Sequence, residues 1–205
     1  ALALQMDALG VEHGEMTHTH GDTYRMRFGR GVAASWLRSM GMLNDKHIPG
    51  VLLRASAEQR WALLQGIVDS DGTINERGSV EVSLKDDRLA DDVFELAVSL
   101  GLMPTATTGR TYFGGREYSR RKRIRFTPME GEVVSRLPRK QERTARARAH
   151  AVPFSRSRTI IDIERIESRP ARCITVEHDS HVYLVGDRNV PTCNTGKDPF
   201  GAAMC

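Results

Sequence analysis

A chain of 205 residues, 40% hydrophobic, 27% charged and 6% aromatic, has an ordinary globular composition and room for one large domain or two modest ones. No apolar run approaches the ~20 residues of a membrane span, and the N-terminus lacks a charged-then-apolar signal pattern. Three cysteines, Cys173, Cys193 and Cys205, fit neither a disulfide framework nor a metal-site spacing and point to a reducing cytoplasm, while a net charge of +4 and a pI near 9.2 permit an anionic partner without requiring one.

In chain order, "ALALQMDALGV" predicts a helix ending at Leu9-Gly10, and "RMRF" (25–28) a strand. Residues 32–40, stopped by Gly41, predict a short helix. Ser56 with Gln59 three positions on is a capping-box start, so 57–71 predicts a helix with Trp61, Leu64 and Val68 at helical spacing and Gly72 as its stop. "SVEVSL" (79–84) alternates as a strand does. Residues 86–100 carry Leu89, Val93, Leu96 and Leu100 on one stripe and end at Gly101, an amphipathic helix.

The charge is uneven. Residues 110–126, "RTYFGGREYSRRKRIRF", hold seven Lys/Arg against Glu117, and 136–149 hold six more against Glu142. A solvated face or a charged linker accounts for such runs equally well. The first run, however, alternates apolar and basic residues and bends at Gly114-Gly115, which predicts a hairpin with arginines on one face, a shape suited to a major groove. Arg110, Arg116, Arg121, Arg123 and Arg125 are its candidate DNA-binding residues. The second run predicts a helical or loose linker, with a domain boundary near 139–158. Beyond it, "TIIDIERI", "RCITV" and "HVYLVG" are short β-type runs separated by turns.

The front half repeats itself. A helix ending in Leu9-Gly10 is followed by "RMRF", and a helix ending in Leu100-Gly101 is followed by "RIRF" (123–126). The second copy is preceded by Asp69-Ser70-Asp71-Gly72; a counterpart in the first would fall before Ala1, so the domain is expected to be pseudo-duplicated with its first acidic helix missing. An aspartate at a helix C-terminus opposes the macrodipole, so something should compensate Asp71. Asp-Gly as an ordinary turn is one answer, and a hard cation taking carboxylate oxygens, as Mg²⁺ does, is another.

"LQGIVDSDG" (64–72) closely resembles the LAGLIDADG signature of homing endonucleases, and "KHIP" (46–49) is similar to the basic block preceding that family's second motif. The resemblance covers roughly residues 1–138. It implies that two acidic helices pack through small residues such as Gly66 and present their last carboxylates to shared divalent ions beneath double-stranded DNA. Asp71 is then the metal ligand, Asp69 is structural, and Lys46 assists at the scissile phosphate. The implied reaction is Mg²⁺-assisted phosphodiester hydrolysis.

Residues 172–195, "RCITVEHDSHVYLVGDRNVPTCNT", resemble the last two blocks of an intein splicing domain. The resemblance implies that the Asn194 side-chain amide attacks its own carbonyl, forming a succinimide and breaking the bond to Thr195, whose hydroxyl accepts the upstream segment. A cysteine at 173 and a threonine at 192 are similar to the smaller class in which an internal cysteine attacks the upstream junction directly. Cys173 would then form the first thioester, with His181 as its activating partner; a small buried strand residue is the alternative role for Cys173. Cys193 stands where a histidine is usual. A thiol is a weak donor, so Asn194 cyclisation should be slow unless His178, His181 or water supplies the hydrogen bond.

The sequence thus predicts an α+β architecture: an incomplete, pseudo-duplicated LAGLIDADG αββ endonuclease domain (1–138), a basic linker (139–158) and the C-terminal part of an all-β Hint/intein splicing domain (159–194). Residues 195–205 are expected to be host protein, and Gly196-Lys197 resembles part of a P-loop, with phage terminases as the similar ATPases. The expected partners are double-stranded DNA, the missing N-terminal half of the intein and this host. A non-cleaving DNA-binding protein on the same fold, or an autoprocessing domain that cleaves without ligating, are the alternatives.

Overall fold

The computed structural model describes residues 14–15, 17–20, 23–25, 32–148, 157, 159–165, 167, 170, 174 and 176–193. The helix expected at 1–9 and most of "RMRF" lie outside them. The first described elements are a small hairpin, β1 (Thr17–His20) with β2 (Thr23–Arg25), then helix α1 (Val32–Ser39) and a single turn, α2 (Gly50–Leu53).

Helix α3 (Ala57–Asp71) begins with the expected capping box. The Gln59 amide donates to Ser56 Oγ, and the Ser56 amide donates back to Gln59 Oε1, both at 3.2 Å. Its C-terminal glycine is needed for closeness rather than for an unusual dihedral. Gly72 is extended (φ −85°), but a Cβ there would lie 2.7 Å from the Val68 carbonyl oxygen and 2.8 Å from Val68 Cα. The chain therefore passes from helix straight into strand β3 (Gly72–Ile74) with no loop between them.

A turn through Asn75, whose Oδ1 accepts from the Arg77 and Ser79 amides, leads to β4 (Val80–Leu84). Helix α4 (Asp87–Ser99) is capped by Asp86 Oδ1 accepting from the Leu89 amide. The long hairpin β5 (Thr105–Phe113) and β6 (Arg116–Phe126) turns at Gly114 and Gly115, both with positive φ as a two-residue primed turn requires. The antiparallel sheet has the order β3-β4-β6-β5.

Period-two alternation divides this sheet into two faces. Val80, Val82, Ile124 and Phe126 point into a core completed by Leu64 and Val68 of α3 and by Ala90, Val93 and Leu96 of α4. The alternate positions, Glu81, Ser83, Arg123 and Arg125, form the opposite face.

The run expected as a helical or loose linker is a docked helix over most of its length. Helix α5 (Pro138–Arg148) packs against β3 and buries Lys140, Thr144 and Ala147. In the tail, "HVYLVG" contributes strand β7 (Val182–Val185), paired with β8 (Val190–Cys193). Residues 159–165 form no strand, and Ile160, Ile161 and Ile163 are exposed because no described strand offers them a ladder.

Replacing Gly72 with alanine should cost about 2 kcal/mol, because its methyl group meets backbone that cannot yield without unwinding the end of α3. Urea denaturation checks this. The same change at exposed Gly66, where a Cβ meets nothing within 4 Å, should not lower stability.

Candidate nucleic-acid interface and carboxylate site

The end of α3 separates its two aspartates by environment. Asp69 accepts from Ser135 Oγ at 2.5 Å and from the Arg136 amide at 3.1 Å, which fastens the segment before α5 to the helix. Gln65 strengthens the seam: its side-chain Nε2 donates to the Val133 carbonyl, and its Oε1 accepts from Arg136 Nε. Asp71 is exposed. Ser70 Oγ lies within hydrogen-bonding distance of Asp71 Oδ2 (2.9 Å) and of the Gly66 and Ile67 carbonyls, and its single proton satisfies one of the three at a time.

What compensates a carboxylate at this end of a helix is Lys140. Its Nζ donates to the carbonyls of Val68 (2.5 Å), Asp69 (3.0 Å) and Gly72 (2.7 Å), matching three protons to three acceptors. The residue is only 6% exposed. Desolvation is the main influence pulling its pKa below the usual lysine value, and the neighbouring Arg139 adds to it; Asp69 and Asp71 pull the other way. In the sequence, Lys140 reads as one charge in a basic run. The legible signal was its place in α5, where Lys140, Thr144 and Ala147 follow a helical stripe.

The outer sheet face carries the basic stripe. Arg121, Arg123 and Arg125 occupy alternate positions of β6 opposite Gly109, Thr107 and Thr105. Glu81 sits among them: Arg125 Nε donates to Glu81 Oε2 at 2.5 Å, and Arg123 Nε is 3.9 Å from Oε1. The Arg123 guanidinium lies beside Gly109, its Nη1 3.5 Å from where a Cβ would stand, an ordinary contact distance. Arg110 corrects the expectation of arginines on one face. It pairs with Arg120, at the parity of Lys122 and Ile124, and so belongs to the opposite side of the hairpin. The side chain of Arg116 lies outside the described residues.

Lys46 is exposed in a loop held by its neighbours, with the Ile48 amide donating to Asp92 and Arg88 paired with Asp45. No hydrogen bond or ion pair joins Lys46 to Asp71 among the described residues. Of the splicing candidates, Thr192 pairs with Tyr183 and Cys193 with Val182, next to His181, whose Nδ1 is 3.3 Å from the Val176 carbonyl. Cys193 is disulfide-bonded, contrary to the expectation of free thiols, and so has no S–H to donate. Cys173, Asn194 and Thr195 lie outside the described residues. No cluster of three or more metal-ligating side chains occurs among the described residues.

Lys140→Met keeps the buried stem and removes the ammonium, leaving three carbonyls without their donor. It should lower unfolding free energy by about 3 kcal/mol, within the range for orphaned buried acceptors. Amide exchange at 68–72 should rise more than at the far end of α3, and calorimetry with hydrogen exchange measures both.

Residues 47–145 match the family model described as homing endonuclease, a span running from the Lys46 loop through the sheet into α5. The chain is also similar to a protein named replicative DNA helicase DnaB, from Mycobacterium intracellulare, at 38% identity over 165 residues. That alignment takes in 80% of this chain but only 28% of the relative's length.

Proposed function

We propose that this chain is an intein segment of the LAGLIDADG type: a DNA-cutting homing endonuclease domain joined to the C-terminal part of a protein-splicing domain. The carrying observation for cleavage is an exposed Asp71 carboxylate, held by the Lys140-capped end of α3 at the margin of an arginine-bearing sheet face. The homing endonuclease match over 47–145 contains all of these groups.

Double-stranded DNA lies against the outer face. Arg121, Arg123 and Arg125 contact phosphates or base edges, and Glu81 orients the last two. Asp71 would hold Mg²⁺, an ion that takes one or two carboxylates and retains water. When bound, the metal stabilises charge on the attacking and leaving oxygens. One exposed carboxylate makes half of such a site. The other half comes from a second acidic helix packed on the open side of α3 at Gly66, in a pseudo-duplicated domain. Lys46 supplies a cation to the scissile phosphate, and Asp69 holds the helix end.

The similarity to a protein named DnaB supports a replicative DNA helicase as the host, more than Gly196-Lys197 alone supports a terminase-like ATPase. Splicing rests on the residue pattern 172–195 together with the β7–β8 hairpin that carries Thr192. Cys173 attacks the upstream junction, Thr195 takes over the acyl group, and Asn194 cyclises to release the intein. In the reduced protein Cys193 is a thiol and a weak donor, which leaves His181, His178 or water for that last step.

In the intact helicase precursor, Mg²⁺-dependent cleavage of DNA spanning the empty insertion site should fall at least 100-fold in Asp71→Asn while binding persists. Cleavage surviving that substitution ends the metal assignment; binding without cleavage in the parent protein favours a regulatory DNA-binding role.

For splicing, mass spectrometry of the reduced precursor should show ligated host protein, none from Cys173→Ala, and continued Asn194-dependent release of the tail from that variant. Ligated product from Cys173→Ala places the initiating nucleophile elsewhere.

A further inference from the structure

The β7–β8 hairpin is a weak element by itself. Its strands have four residues each, Val182, Leu184 and Val185 are exposed, and a lone two-stranded hairpin is marginal in water. Yet its turn, 186–189, reaches the endonuclease body. Gly186 and Asn189 take positive φ, and the Asn189 amide donates to the Gly186 carbonyl, which presents Arg188 at the tip. Arg188 Nη1 donates to the Pro104 carbonyl at 2.9 Å, and its guanidinium carbon stands 5.1 Å from the centroid of the Phe94 ring.

Both acceptors are rigidly placed. Pro104 is fully buried immediately before β5, and Phe94 packs against the core from α4. Around the contact is a cleft of about 220 Å³ with Val98, Met103 and Pro104 on the body side and Arg188, Asn189 and Pro191 on the hairpin side. Because α4 covers the apolar face of the sheet, this contact lies on the helical side, and the Arg121–Arg123–Arg125 stripe is on the other.

We propose that Arg188 is a latch that docks the C-terminal hairpin on the helical side of the endonuclease body, which thereby becomes the support that positions the Thr192–Cys193 end. A charge-assisted hydrogen bond combined with a cation over an aromatic face suits this role, since a planar guanidinium serves both at once. The docking rests on geometry alone; its consequence for splicing rests on the function proposed above. DNA engages the opposite face, so the latch stays closed while DNA is bound.

Hydrogen exchange on the chain tests the docking. Arg188→Ala should speed exchange of the 182–185 and 190–193 amides by about tenfold, as expected for loss of both contacts, with β4 and β6 unchanged. Phe94→Leu, which keeps the Pro104 bond, should give a smaller rise. Unchanged hairpin exchange in Arg188→Ala overturns the latch. In the helicase precursor, Arg188→Ala should slow release at the C-terminal junction by about tenfold and leave DNA cleavage intact. Faster hairpin exchange with unchanged release refutes the positioning role. A parent precursor that never splices overturns the splicing reading, while hydrogen exchange still decides the latch.

Discussion

Everything at the carboxylate end of α3 depends on one buried ammonium. The last carbonyls of a helix carry roughly half a negative charge between them and have no intrahelical donor. Asp69 and Asp71 add full negative charges at the same place. Lys140 meets all three demands: it donates to the Val68, Asp69 and Gly72 carbonyls and brings a positive charge near both carboxylates. Burial costs it some of its basicity, and the acidic neighbours offset part of that loss. The helix can therefore end in acid without fraying, leaving Asp71 outward and fixed.

This arrangement makes distant sequence interdependent. Lys140 stands 72 positions from Val68, and it reaches the helix only because α5 docks on β3 and because Ser135 and Arg136 are tied to Asp69. Gly72 contributes by absence: with no Cβ, it lets β3 leave the helix within contact distance of Val68. The outer sheet face shows a parallel logic. Three arginines at alternate positions would splay apart, but Glu81 draws Arg125 and Arg123 toward one carboxylate. An exposed ion pair adds little stability. Its effect is on orientation, because it limits where two long side chains can point.

Local rules made much of this legible. The Ser56–Gln59 capping box, the stop at Gly72, the stripe on α4 and the two-glycine bend of the long hairpin are written in stretches of a few residues, and each appears as read. The Arg123 and Arg125 positions followed from alternation. Arg110 did not, because the face of a residue across a hairpin is set by register, and register depends on how many residues each strand spends before the turn. Lys140 escaped for a different reason: a lysine among arginines looks solvated until the partner carbonyls, far away in sequence, are known. The β-type run "TIIDIERI" (159–166) forms no strand over its described residues, 159–165, because a strand needs a ladder, and alternation says nothing about whether a partner is present.

The two parts of the chain meet different physical requirements. The proposed cleavage site needs a charged group held still beside a charged polymer, and the α/β body meets this need with a closed core beneath the arginine-bearing sheet face. The asparagine cyclisation of the proposed function would need neighbouring groups of one short segment aligned to within a fraction of an ångström, where small misplacements cost rate heavily. A four-residue hairpin with exposed valines and leucine cannot hold such alignment by burial. It has to borrow rigidity, and the rigid surface within reach is the junction of α4 and β5, where Phe94 and Pro104 are already fixed by the core. With strands rising ~3.3 Å per residue, the anchored turn and the Cys193 end lie roughly 13 Å apart along the hairpin, so a small tilt at Arg188 becomes a larger displacement at Cys193.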